Sequence, residues 1–243
     1  MESVLLFGKV PLRPLPPEYR YAHSSLCLLD AVYSINAKYQ SVRRDDGEGV
    51  IGRYCRSAGL EPFESTKTGE DTLTNLRSRL TDRGPELFAK EVLRNRSRGN
   101  VGGRVTSLKS EILAQLADWL TRQGVDGLDS LQKWSLRSHP DQVEFALKAE
   151  GIRGIGSTTL KYLMMLAGNS NQIKPDRHIK DFVSDIVHHP VGSDEATEVL
   201  KDEATRVGAC PMEVDHSVWF YQRERSRESP RRKLTKGNRF GAS

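Results

Sequence analysis

Cysteine is scarce in this chain of 243 residues, with only Cys27, Cys55 and Cys210, widely scattered. No CxxC pair occurs, so neither a zinc-type ligand spacing nor a disulfide framework is expected. Four clustered thiolates are also missing, which excludes a cysteine-ligated iron–sulfur cluster. No metal centre is expected. Long apolar runs are absent as well: nothing approaches the roughly 18 consecutive apolar residues of a membrane span. The first residues lack the basic, apolar and small-residue succession of a signal peptide. These absences predict a soluble, cytoplasmic protein, with no membrane partner and a monomer as the default state.

Aromatic residues make up 7% and apolar residues 37% of the chain, against 28% charged. That is enough for a core, provided that the surface is polar. The net charge of +5 is concentrated at one end. Residues 223–243 hold eight Lys or Arg against two Glu, leaving the rest near neutrality. A basic segment rich in Arg, Ser, Gly and Pro reads as a solvated, disordered tail, with a phosphate-binding arm as the alternative.

Helical periodicity dominates what is present. Pro11, Pro14, Pro16 and Pro17 imply an extended lead-in over 1–23. A helical domain is expected over 24–222, opening with Leu26, Leu29, Val32, Tyr33 and Ile35 at helical spacing. Further helices are expected near 50–55, 72–80, 86–94, 107–119, 140–149, 158–166, 178–187, 193–207 and 214–222. Gly99, Gly102 and Gly103 make 100–104 a flexible connector. No alternating strand pattern is visible, so the fold class is all-α.

Two glycines, Gly154 and Gly156, bracket Ile155 between two helical runs in the segment from Leu147 to Leu166. Glycine permits a tight turn there and close approach of the backbone to another surface. The amides that open the next helix favour an anion such as a phosphate. A polar loop from Gly168 to Pro175 follows, and then Asp176-Arg177-His178-Ile179 enters another helix. Asp is also a common helix cap, so position alone does not separate a catalytic acid from a structural one.

This succession resembles the helix-hairpin-helix (HhH-GPD) superfamily of DNA glycosylases, which includes endonuclease III-like, adenine-mismatch and 3-methyladenine enzymes. Asp176 lies 18 residues after Thr158, as in the endonuclease III-like pattern, and Asp176-Arg177-His178-Ile179 resembles that family's Asp-x-His-Ile. The resemblance implies a two-lobed helical fold with the active site between the lobes, a helix-hairpin-helix over about 147–166, and Asp176 as the essential carboxylate. It implies that double-stranded DNA is the partner and that Gly154, Ile155, Gly156 and Thr158 hold a phosphate, with a monovalent cation possible at the hairpin. Leu29 to Asn36 resembles an early helix that ends near the residue filling the vacated base position, which makes Asn36 the candidate plug. His178 would support the Asp176 loop. Val214 to Trp219 resembles a late helix packed under the catalytic lobe.

Bifunctional members carry a lysine where this chain has Thr158. A hydroxyl supplies no amine for a Schiff base. The expectation is a monofunctional glycosylase that hydrolyses the N-glycosidic bond to an abasic site, with little lyase activity and no cofactor. The same reaction aimed at modified bases of foreign DNA is one alternative, and a non-catalytic helix-hairpin-helix DNA-binding protein is another. Tyr33, Tyr39, Trp134 and Tyr162 could each stack on an extruded base or serve packing.

Overall fold

The structure, a computed structural model, describes residues 4–16, 20–44, 46–63, 69–101 and 104–228. The residues from 229 onward in the expected basic tail lie outside the described residues, as do Pro17 and the glycines Gly102 and Gly103.

Among the described residues the molecule is mostly helical, and its helices form around two separate hydrophobic cores. The first core holds α1 (Ser24–Tyr33), α3 (Val50–Ala58), α4 (Leu73–Arg83), α6 (Lys109–Arg122), α7 (Leu128–Arg137), α8 (Pro140–Ala149) and α9 (Ser157–Leu166). Short α2 (Tyr39–Val42) and α5 (Pro85–Leu87) lie between them, and a π-helical turn over Phe88–Val92 continues α5. Helix α1 is the central element: all ten of its residues are buried, and it packs on α3, α4, α6 and α9. An apolar side chain withdrawn from water is worth roughly 1.5–3 kcal/mol. The run Leu26-Cys27-Leu28-Leu29, fully buried, therefore anchors this lobe.

The second core joins α10 (Arg177–Val187), α11 (Ser193–Val207) and α12 (Pro211–Glu228). On α10, Ile179, Phe182 and Val183 recur at helical spacing and are buried. The N-terminal segment packs on this core and completes it. Its strands β1 (Leu5–Leu6) and β2 (Val10–Pro11) pair antiparallel and bury Leu6 and Val10 beside Phe182 and Val218. A second antiparallel pair, β3 (Arg98–Val101) and β4 (Arg104–Leu108), replaces the flexible connector expected over 100–104. Short strands that include a glycine carry no legible alternation, which is why the sequence does not reveal them.

Helix α12 runs through Glu228, so the expected tail starts as helix rather than at 223. Arg225 on it pairs with Asp185 of α10 at 3.4 Å. No helix among the described residues is long and apolar enough to cross a membrane.

Candidate active site between the two cores

Residues 167–176 carry the chain from the first core to the second, and a cleft of about 720 Å³ opens beside them. Its walls come from both cores: Asn36 and Tyr39 follow α1, Thr158 and Tyr162 belong to α9, Lys174 to His178 enter α10, and Asp215, His216 and Trp219 belong to α12. Asp176, Thr158, Asn36 and His178, singled out from the sequence, therefore share one cavity.

Asp176 caps α10. Its Oδ1 accepts the backbone N–H groups of His178 at 2.8 Å and Ile179 at 3.2 Å. Oδ2 takes no hydrogen bond among the described residues, and the residue lines the cleft. One carboxylate thus serves both readings: one oxygen stabilises the helix start, and the other is left for solvent or ligand. His178 is half-buried on the same wall and donates its amide, not its ring, to Asp176.

Glycine at 154 answers a backbone requirement, since its φ of 96° lies where L side chains rarely go. Gly154 and Ile155 are buried in the turn between α8 and α9, and these two helices pack on each other. Of the turn residues, Thr158 reaches the cleft while Gly154, Ile155 and Gly156 do not line it. The opening amide of α9, on Ser157, donates to the Glu144 carboxylate at 2.7 Å. A side chain of this protein therefore already occupies the anion position at that amide.

Asn36 is exposed at the cleft edge with φ of 49°, a left-handed conformation uncommon for a non-glycine residue. Its position is held from behind. The Lys109 ammonium, buried under α1, donates to the carbonyls of Tyr33 at 3.0 Å and Ile35 at 2.5 Å. Burial pushes the Lys109 pKa down to about 8.

Three titratable residues beside Asp176 are given no role by the sequence. Asp30, 1% exposed within α1, accepts hydrogen bonds from Tyr21 Oη at 2.9 Å, Ser34 Oγ at 2.7 Å, Arg43 Nε at 2.6 Å and Tyr162 Oη at 3.2 Å. Burial alone would raise its pKa, but the Arg43 guanidinium and these donors, with Lys174, hold it below the usual carboxylate value. Lys174, two residues before Asp176, lies with its ammonium over the Tyr162 ring. Burial lowers its pKa against the opposing pull of Asp176, Asp30 and Asp215.

Asp215, 6% exposed, has one hydrogen-bond partner among the described residues: its Oδ2 accepts the Lys174 backbone N–H at 2.8 Å. Burial, with the Asp176 charge nearby, pushes the Asp215 pKa up to about 8. An acid inside an otherwise apolar helix, as in Leu28-Leu29-Asp30-Ala31-Val32, is the one sequence signal that points to Asp30.

Aromatic rings border the cavity. Tyr39 and Tyr162 line it, whereas Tyr33 and Trp134 are buried in the first core. Trp219 and His216 stand on the cleft wall rather than only in packing. Tyr39 of the first core meets Trp219 of the second at 5.3 Å between centroids, and the Arg223 guanidinium lies 4.1 Å from the Tyr39 centroid.

A family described as a domain of unknown function (DUF8548) matches residues 7–223. The chain belongs to that family. No curated protein matches it. In this DUF8548 chain the matched span begins just after β1 and includes β2 and every residue lining the cleft, from Leu15 to Trp219. No group of three or more His, Cys, Asp or Glu side chains that could hold a metal ion occurs among the described residues.

Proposed function

We propose that this DUF8548 protein is a monofunctional DNA glycosylase of the two-lobed helix-hairpin-helix (HhH-GPD) type, which flips a base out of duplex DNA and hydrolyses its N-glycosidic bond. The observation that carries this reading is the free Oδ2 of Asp176, set at a helix N-terminus in an interlobe cleft shared with Thr158 and Asn36.

Breaking the bond at the deoxyribose anomeric carbon builds positive charge on the sugar. A carboxylate held against that carbon stabilises the charge and orients a water for attack. Fixing Oδ1 through two backbone amides prevents Asp176 from swinging away, so little reorganisation is needed as the charge appears. Tyr39, Tyr162 and Trp219 offer ring faces to an extruded base. Asn36, displayed at the cleft edge, suits insertion into the gap that base leaves, its amide pairing with the widowed partner.

Thr158 supplies no amine at the position of the family's lysine, and Lys174, beside Asp176, has its ammonium over the Tyr162 ring; both support hydrolysis to an abasic site with little strand cutting. At the hairpin, the Glu144 carboxylate fits an arrangement in which a monovalent cation stands between the turn and the DNA. It opposes bare phosphate contact with the Ser157 amide.

Purified wild type and Asp176→Asn are compared on duplexes carrying single modified bases and on DNA from phages with modified genomes. Alkaline cleavage reports abasic sites and mass spectrometry identifies released bases. Release by the wild type and not by the variant supports the glycosylase. If the target is found only in phage DNA, the enzyme acts in defence rather than repair. Intact binding with no release from any DNA makes the protein a non-catalytic DNA-binding module.

A further inference from the structure

The cleft holds two carboxyl groups in opposite settings. Asp176 sits at the positive end of α10 with two amides on one oxygen. Asp215 lies in the second turn of α12, is almost wholly buried, lines the same cavity, and receives one neutral amide. A buried carboxyl with so few donors keeps its proton.

The charged groups around it act in both directions. Asp176 and Lys174 come from the linking loop, with Asp30 of α1 within range of Lys174. His178 and Lys180 of α10 line the same cavity, His216 adjoins Asp215 on α12, and Arg13 of the N-terminal segment lies against α12 at Ser217. Burial and the Asp176 charge outweigh Lys174, placing the Asp215 pKa at about 8.

We propose that Asp215 is the proton donor to the departing base, and that the bases this site releases are uncharged ones whose departure needs that proton. This rests on the glycosylase reading and names its substrate class. The C1′–N bond breaks with its electron pair going to the base, and the Asp215 proton neutralises the base as it leaves. Water bonds to C1′ and loses a proton to Asp176, and solvent exchange returns that proton to Asp215. A base made cationic by alkylation departs without protonation, so it gains nothing from Asp215. The Lys174 ammonium in the same cavity also disfavours a second cation there.

Asp215→Asn keeps an oxygen to accept the Lys174 amide but cannot deliver the proton, whereas Asp215→Ala loses both. Single-turnover excision is measured from pH 5 to 10 on duplexes carrying one uracil, one hypoxanthine, or adenine opposite 8-oxoguanine, and on a duplex carrying 7-methylguanine. Fold is checked by thermal melting and by affinity for a duplex with a tetrahydrofuran abasic analogue. The wild type is expected to prefer a neutral base and to slow above about pH 8. Asp215→Asn is expected to bind like wild type and to melt no lower than it, to lose about 10²-fold or more in rate, and to lose the alkaline limb. Wild-type rate and pH profile in Asp215→Asn, or faster release of 7-methylguanine than of every neutral base, overturns the proposal and leaves the glycosylase standing. No release of any base by the wild type, from these duplexes or from the modified phage DNA, overturns both.

Discussion

The ammonium of Lys174 lies 3.4 Å from the centroid of the Tyr162 ring, so a cation on the loop that delivers Asp176 is held by an aromatic face of the first core. Tyr162 also donates its hydroxyl to Asp30 at 3.2 Å. One side chain therefore ties the buried acid of α1 to the loop entering α10. A desolvated cation–π contact contributes about 2 kcal/mol. Tyr162→Phe, which keeps the ring but loses the hydrogen bond to the Asp30 carboxylate, is expected to cost about 1.5–3 kcal/mol. Tyr162→Ala removes the ring as well and is expected to cost about 3–5 kcal/mol. Urea denaturation of the two variants checks this, and equal losses would show that the ring does not hold Lys174.

Glu144 sets the charge of the hairpin. Its carboxylate takes the Ser157 amide at 2.7 Å and the Lys148 ammonium at 2.5 Å. Glu144→Gln leaves an oxygen for the amide while removing the negative charge that a DNA phosphate would meet. Two charges about 4 Å apart near a surface interact by up to about 4 kcal/mol before screening. A several-fold gain in duplex affinity is expected at 50 mM salt, shrinking at 200 mM. Fluorescence anisotropy at the two salt concentrations reads it. Unchanged binding would mean that the hairpin does not face DNA, and weaker binding that the carboxylate holds a bridging cation there.

Much of this was legible before any coordinates. Pro140 at the first helical position and the apolar spacing after it mark α8, and α11 is found over Ser193–Val207 as its periodicity indicates. Helix α7 is not legible because it buries only Leu131, Trp134 and Ser135, too few apolar positions to show a period. At the site, Asp176, Thr158, Asn36 and His178 could be named because each belongs to a recognisable local run. Lys174 and Asp215 could not, because nothing in a linear pattern says that an acid on α12 receives the amide of a lysine 41 residues earlier. Burial gives both of them their chemistry, and burial is a property of the fold.

Asp30 makes the protein sensitive to acid. Its pKa lies below the usual carboxylate value because Arg43, Ser34, Tyr21 and Lys174 favour the charged form despite burial. A depressed folded pKa gives stability that is present above the unfolded value of about 3.9 and lost as pH falls through the folded one. The melting temperature of the wild type should therefore drop steeply below about pH 4. Asp30→Asn leaves the Arg43 cation without its carboxylate and is expected to cost about 3–5 kcal/mol at pH 7. Its acid-side slope should be shallower. Parallel slopes in the two proteins would assign the acid transition to other carboxylates.

Asp215 gives the opposite sign. Its folded pKa of about 8 exceeds the unfolded value, so the folded state holds a proton that the unfolded state releases between about pH 4 and 8. Its contribution therefore weakens the fold as pH rises through that window and levels off above it. Asp215→Asn has no such titration. Thermal melts across the window should converge at the acid end, with the variant the more stable toward pH 8. A wild type no more pH-dependent than the variant would mean that Asp215 is already ionised in the fold.

Asn36 separates strain from function. Its φ of 49° costs a side-chain-bearing residue what glycine avoids, so Asn36→Gly should leave stability unchanged or slightly improved. Asn36→Ala, which keeps a Cβ but loses the polar group that helps Asn tolerate this conformation, should lose about 1 kcal/mol. Both lack the amide assigned to the vacated base position. A duplex with 2-aminopurine beside the target reports flipping by fluorescence, and both variants should show a reduced extruded population despite opposite effects on stability. A signal that follows stability instead, high in the glycine variant and low in the alanine one, would mean that Asn36 shapes the turn after α1 and does not fill the DNA stack.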